Sequence, residues 1–182
     1  MHQRFGRSTV ATAIFLSFVL WSCGAQAQTP DSDRGRAWKT YGNARFAYSV
    51  CYPSDVLSPQ GESDNGDGQK FTTKDGRAEA LVYGAYFARD TEDVTLKKAY
   101  LDEIQFHKSK GFTIAYKFLK TNQFVISGSQ SGKIFYHKTV LVGDVFKTIH
   151  LEYSDDVKRE FDAIAAKMSF CFHTNPAFKS GP

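Results

Sequence analysis

The sequence predicts an α+β domain in which a mostly antiparallel β-sheet is covered by two main helices. Three observations carry that expectation. Runs of strand type follow one another across turns too short for a crossover, so neighbouring strands must run antiparallel. Two stretches switch instead to apolar spacings of three and four residues. The order along the chain is strands, helix, strands, helix, which suits one sheet with helices laid on it.

The first segment stands apart from this pattern. "MHQRFGR" carries Arg4 and Arg7 without an acid, "VATAIFLSFVLW" is an apolar core, and "SCGAQA" ends in a small-x-small cleavage pattern. Together these read as a secretory signal over residues 1–27, cleaved after Ala27, which implies a periplasmic or secreted protein. The apolar run is too short for the ~20 residues that a spanning helix needs. "LWSC" also resembles a lipoprotein box, with Trp21 where a small residue is usual, so lipidation of Cys23 is the competing outcome. A membrane association is expected only in that case. Residues 28–37, beginning "QTPDSDRGR", read as a flexible leader.

Removing the signal takes Arg4 and Arg7 with it and lowers the formal charge from +4 to +2. Without a basic block, the pI near 8.9 gives no reason to expect a nucleic-acid partner. Cys51 and Cys171 remain as an even pair in an oxidising compartment, for which a disulfide is the natural reading and two buried thiols the alternative.

"RFAYSVCYP" alternates as a strand with Phe46, Tyr48 and Val50 on one side and stops at Pro53. "QKFTT" and "AEALVYGAYF" form a hairpin across Lys74-Asp75-Gly76. "TLKKAYLDEIQFHKSKG" then spaces Leu96, Tyr100 and Ile104 as a helical stripe, crowds lysines into its last turn and stops at Gly111. Four strand runs follow: "FTIAYKFLK", "FVISGS", "KIFYHKTVLV" and "VFKTIHLEY". A second helix opens at Ser154-Asp155 with Val157, Phe161, Ile164, Ala165 and Met168 on one face, and "SFCF" after it reads as extended. One domain therefore spans residues 38–172, with a polar tail over 173–182. Sixteen Phe and nine Tyr are assigned to the core between sheet and helices rather than to an aromatic binding box.

Few motifs carry chemistry. In "PQGESDNGDGQKF" an EF-hand alignment puts Ser63, Asn65 and Asp67 at positions 1, 3 and 5, but Lys74 falls where the bidentate acid belongs. Two dipeptides that tolerate positive φ, Asn65-Gly66 and Asp67-Gly68, make it a turn. "GSQSGKI" has one residue too few for a phosphate loop and Ile134 in place of the hydroxyl that holds magnesium. There is no Gly-x-Ser-x-Gly elbow and no His-Glu-x-x-His pair. His107 reads as a surface residue at a helix end, and Asp102-Glu103 and Asp155-Asp156 as solvated charges or cap partners.

One constellation is sharper. If Gly143-Asp144 is a two-residue hairpin loop, His137 pairs with His150 and Thr139 with Thr148, and Glu152 shares their face. Two imidazoles and a carboxylate could hold zinc. The competing reading makes this the solvated face of the sheet, because Ile134, Tyr136, Val140, Val142, Val145, Ile149, Leu151 and Tyr153 make a better core opposite. On that reading no metal, cofactor or catalytic residue is expected.

The segment "RFAYSVCYPSDVLSPQGESDNGDGQKFTTKDGRAEALVYGAY" resembles the N-terminal signature of an uncharacterised family of small exported bacterial proteins, and "FVISGSQSGKIFYHKTVL" fits the same pattern. The element order is similar to the PsbP-like α/β/α sandwich, shared by an extrinsic photosystem subunit, a Ran-binding nuclear import factor and DcrB-type lipoproteins. That resemblance implies binding or stabilisation of other proteins without a catalytic centre, and function does not follow from fold alone. If the last helix returns the chain beside the first strand, as such a sandwich would have it, Cys51 and Cys171 can meet.

The expectation is thus an exported, non-enzymatic binding or accessory protein of the bacterial envelope, its partner a protein or another envelope component. Its candidate surfaces are the loop with Asp64, Asn65 and Asp67 and the face with His137, His150 and Glu152. Two alternatives stand beside it. One is a metal-dependent or hydrolytic envelope enzyme using His137, His150 and Glu152; the other is an inhibitor of a secreted enzyme such as a lysozyme, using "SGSQSGK".

Overall fold

The computed structural model describes residues 35–86 and 95–174. The expected signal segment with Cys23, most of the expected leader and most of the expected C-terminal tail lie outside the described residues.

Two strands, β1 (Trp38–Asn43) and β2 (Tyr48–Pro53), form an antiparallel hairpin of their own. Seven further strands form one antiparallel sheet: β3 (Ser58–Glu62), β4 (Gly68–Thr72), β5 (Ala78–Tyr86), β6 (Thr113–Leu119), β7 (Gln123–Gln130), β8 (Lys133–Val142) and β9 (Val145–Ser154). Their spatial order is β3-β4-β5-β9-β8-β7-β6, so the long strands β5, β9 and β8 occupy the centre. Helix α1 (Leu96–Ser109) links β5 to β6, and α2 (Lys158–Phe170) follows β9 after a short 3-10 turn. Among the described residues no helix is long and apolar enough to cross a membrane.

The sheet is covered on both faces. On one side the β1–β2 hairpin and α2 bury Tyr48, Val50, Phe71, Ile149, Leu151, Phe161 and Met168 in the larger core. On the other side α1 packs Leu96 against Phe112, Phe124, Ile126 and Phe135 in a second, smaller core. In "KIFYHKTVLV" the apolar residues are interrupted by His137 and Thr139, and both of these polar side chains are buried as well. The α1 face is therefore not the solvated face that its polar residues suggested; a helix lies on it.

Each helix has a local cause and a docked end. Thr95 caps α1, its hydroxyl accepting from the Lys98 backbone N–H at 3.0 Å. Gly111 ends the helix at φ +91°, and the Phe112 N–H then bonds the His107 carbonyl at 3.0 Å. Helix α2 runs through Ser169 and Phe170, residues expected to be extended; Phe161, Ile164, Ala165 and Met168 hold its inner face in the core to the last turn. Past it, His173 exchanges backbone hydrogen bonds with Ser49 at 2.9 Å, so the chain does return beside β2. Cys51 and Cys171 are bonded there, with their Cα atoms 5.8 Å apart.

Candidate functional site

The hairpin β8–β9 sets the first part of the site. A two-residue turn at Gly143-Asp144 fixes the register, so His137 lies opposite His150 and Thr139 opposite Thr148, as expected. The two imidazoles meet through their Nδ1 atoms at 3.3 Å. Their Nε2 atoms point outward, His137 to the Thr139 hydroxyl at 2.9 Å and His150 to a Glu152 carboxylate oxygen at 3.4 Å. Thr139 and Thr148 share a further hydrogen bond at 2.9 Å.

Helix α1 supplies the second part, which the sequence reading assigned to the surface. His107 and Glu103 are one helical turn apart and continue the inward stripe of Leu96, Tyr100 and Ile104. His107 is 2 % exposed, and neither of its ring nitrogens has a hydrogen-bond partner. Its ring stands edge-on to Phe135, with centroids 3.8 Å apart. A Glu103 carboxylate oxygen lies 3.3 Å from His137 Nδ1 and 3.7 Å from His107 Nε2. One nitrogen from each of His107, His137 and His150 falls within 4.8 Å of the others.

Burial governs the electrostatics. It holds His107 in the neutral form and pushes its pKa down to about 4, with His150 adding to the effect and Glu152 opposing it. His137, buried on all sides, is pushed well below the ordinary imidazole range by desolvation first and the other two imidazoles second. Burial raises the Glu103 carboxyl, whereas the hydrogen bond to His150 lowers Glu152. The cluster thus sets three imidazoles, with His107 and His137 held neutral by burial, beside two carboxyl groups, which is donor chemistry suited to a metal ion.

The loop residues fall elsewhere. Residues 63–67 turn the β3–β4 hairpin, with Asp64 and Asn65 exposed. Inside the loop the Asp67 carboxylate accepts from Ser63 and from Asn65 Nδ2, and the Ser63 hydrogen bond is the main cause of its lowered pKa. From outside, Asn43 donates to the Gly66 carbonyl at 3.0 Å, Tyr48 to the Asp67 carbonyl at 3.0 Å, and Arg45 to the Asn65 carbonyl. The Gly84 N–H also donates to Asp67, at 2.9 Å. Carbonyls spent on protein donors make a braced turn, in keeping with the turn reading of this loop.

Two groups escaped the sequence reading, Glu103 and His107. A signal for them was present. His107 lies three residues after Ile104 and seven after Tyr100, on the helical stripe, and Glu103 precedes it by four.

The architecture is that of a PsbP-like fold. A solved chain similar to this one is the cyanobacterial PsbP (CyanoP) of Synechocystis sp. PCC 6803, known from a solution structure. The two share 11 % sequence identity at a TM-score of 0.56, over 86 % of this chain and 99 % of that one. No family model and no curated protein matches the chain. At that identity the likeness shows the fold and nothing further.

Proposed function

We propose that the chain is an exported, non-enzymatic binding or accessory protein of the bacterial envelope, a rigid sandwich that engages a protein partner through its rim. One observation carries the reading. The exposed tip of the β3–β4 loop is pre-shaped by donors from β2, β5 and the β1–β2 hairpin, so the backbone is already ordered before any partner arrives. Ordering a loop costs binding free energy, and a braced loop has met that cost in folding. Two residues past Gly84, Tyr86 is 62 % exposed and packs edge-on to Phe46, over whose ring the Arg45 guanidinium also lies at 5.0 Å. A tyrosine next to an arginine and two polar tips is a composition typical of interface centres. Export is supported by the N-terminal signal pattern and by the Cys51–Cys171 bond, which belongs to oxidising compartments.

The experiment is affinity capture of the mature protein from its own envelope, with intact mass measured before and after reduction to fix cleavage and lipidation. A captured partner released by Asp64→Ala combined with Tyr86→Ala supports the reading. A partner retained by that variant overturns the rim assignment, and a mass that includes residues 1–27 overturns export. The hydrolytic alternative requires substrate to reach His137, 3 % exposed beneath α1. The lysozyme-inhibitor alternative rests on the exposed β7–β8 turn and is separated by an inhibition assay.

A further inference from the structure

We propose that His107, His137 and His150, with Glu103 as fourth ligand, bind one divalent transition-metal ion of the zinc type. The proposal goes beyond the rim-binding reading and does not depend on it.

Distances speak first. Around an ion with bonds of about 2.0–2.1 Å, neighbouring ligands of a tetrahedron lie about 3.3–3.4 Å apart. His137 Nδ1 is 3.3 Å from His150 Nδ1 and 3.3 Å from the Glu103 oxygen, two edges of such a tetrahedron. His107 Nε2 lies 3.7 Å from the same oxygen, and the nitrogens of the three imidazoles lie within 4.8 Å of one another, so the ligands must draw inward to complete the tetrahedron around an ion.

Proton placement speaks next. When His137 donates from Nε2 to Thr139, and His150 from Nε2 to Glu152, both Nδ1 lone pairs face each other across 3.3 Å. Those outward bonds are the pattern by which ligating histidines are oriented, the second nitrogen donating to a hydroxyl or carboxylate. Two opposed lone pairs repel unless a cation or a proton lies between them. His107 adds an independent sign, since a buried imidazole with neither nitrogen hydrogen-bonded carries an uncompensated desolvation cost in a site without a ligand.

Charge and access agree. A doubly positive ion and the carboxylates of Glu103 and Glu152 sum to zero, which offsets part of the penalty of burying an ion. The side chains of Glu103 and Glu152 are 27 % and 33 % exposed and that of His150 is 18 % exposed, so the cluster touches water on their side. Three imidazoles and one carboxylate favour zinc over calcium or magnesium, which prefer all-oxygen sets. Four protein ligands leave no open position, so the ion acts as a clamp between α1 and the β8–β9 hairpin rather than as a catalyst.

The test uses the mature full-length protein, stripped with chelator and carrying no polyhistidine tag. Zinc chloride titrated calorimetrically is expected to bind one ion per chain with a submicromolar Kd, to raise the thermal midpoint, and to be matched by cobalt(II) with strong visible bands of tetrahedral type. His150→Gln is expected to weaken zinc binding at least 100-fold and Glu103→Gln about 10- to 100-fold. As a readout free of substitutions, the imidazole resonances of His107, His137 and His150 in the wild type are expected to move with zinc while those of the exposed His173 stay put. The proposal is overturned if zinc does not bind stoichiometrically, if only His173 responds, or if Glu103→Gln and a folded His150→Gln bind zinc as the wild type does. Opposed imidazoles that merely share a proton would show the first of these results.

Discussion

His107 is the residue whose surroundings differ most from its neighbours on the helix surface. Lys108 and Lys110 beside it are exposed, while its own ring is sealed against Phe135 with Glu103, His137, His150 and Glu152 around it. That burial has a pH consequence in the metal-free protein. In the unfolded chain the imidazole takes up its proton as pH falls through its ordinary 6.5, whereas in the folded state it resists until about 4. Between those values the unfolded state binds more protons, so folding stability is present above about pH 6.5 and declines as pH falls toward 4. His137 shifts in the same direction and deepens the loss. Thermal melting of chelator-treated protein at descending pH is expected to show the midpoint dropping through this window, and His107→Phe to flatten part of the slope. A second residue-level case is Gly84. A Cβ there would sit 2.3 Å from the Phe46 ring, because Phe46 lies directly on the strand. Gly84→Ala is expected to cost ~1–3 kcal/mol through overpacking, read as a lower urea midpoint with an unchanged slope.

Among the elements, α1 and the β8–β9 hairpin together make the site, and they became legible to different degrees. The hairpin's register followed from a two-residue turn, because period-two alternation leaves no freedom once the turn is placed. The helix existed in the sequence as a stripe, but nothing local says which face of the sheet a helix will cover. His107 is 30 residues before His137 in number and touches it only after α1 has docked, so the pair leaves no spacing motif. Two strands also escaped notice. β1 is "WKTYGN", mostly polar, and β3 is "SPQGE", exposed at every position at the sheet edge with Pro59 in it. Neither carries the alternation that marks a half-buried strand. On the other face, α2 is fastened at both ends. Tyr153 donates to Asp162 at 2.7 Å near its start, and Lys138 donates to the Ser169 carbonyl at 3.0 Å near its finish, where a cation also complements the helix dipole.

For the whole molecule the cross-link between β2 and the end of α2 is the largest single constraint. It closes a loop with a sequence separation of 120, and every strand of the main sheet lies within that span. The chain-entropy model assigns such a loop about 4–5 kcal/mol, and measured bridges typically deliver about 2–4 kcal/mol. Reduction, or the paired change Cys51→Ser with Cys171→Ser, is expected to lower stability by about that smaller amount in chemical denaturation, with the fold retained at low temperature. The hydrogen bonds between Ser49 and His173 and the amine of Lys147, which holds the carbonyls of Ala47 and Thr174 at 3.0 and 3.1 Å, keep the same two segments together without the sulfurs.

Local pattern was enough for the α+β class, for both helices, for seven of the nine strands among the described residues and for the pairing of His137 with His150, since turns and side-chain periods act over a few residues. The disulfide was legible from the even pair of cysteines and from the oxidising compartment that the N-terminal pattern led one to expect. Only the packed molecule decided that both faces of the sheet are covered, which turned a supposed solvated face into an enclosed nitrogen cluster and brought Glu103 and His107 into it. The reason is physical: alternation along a strand reports two faces of different polarity, but the choice of which helix buries which face is made by apolar surfaces that meet across the layers, where no residue's sequence neighbours take part.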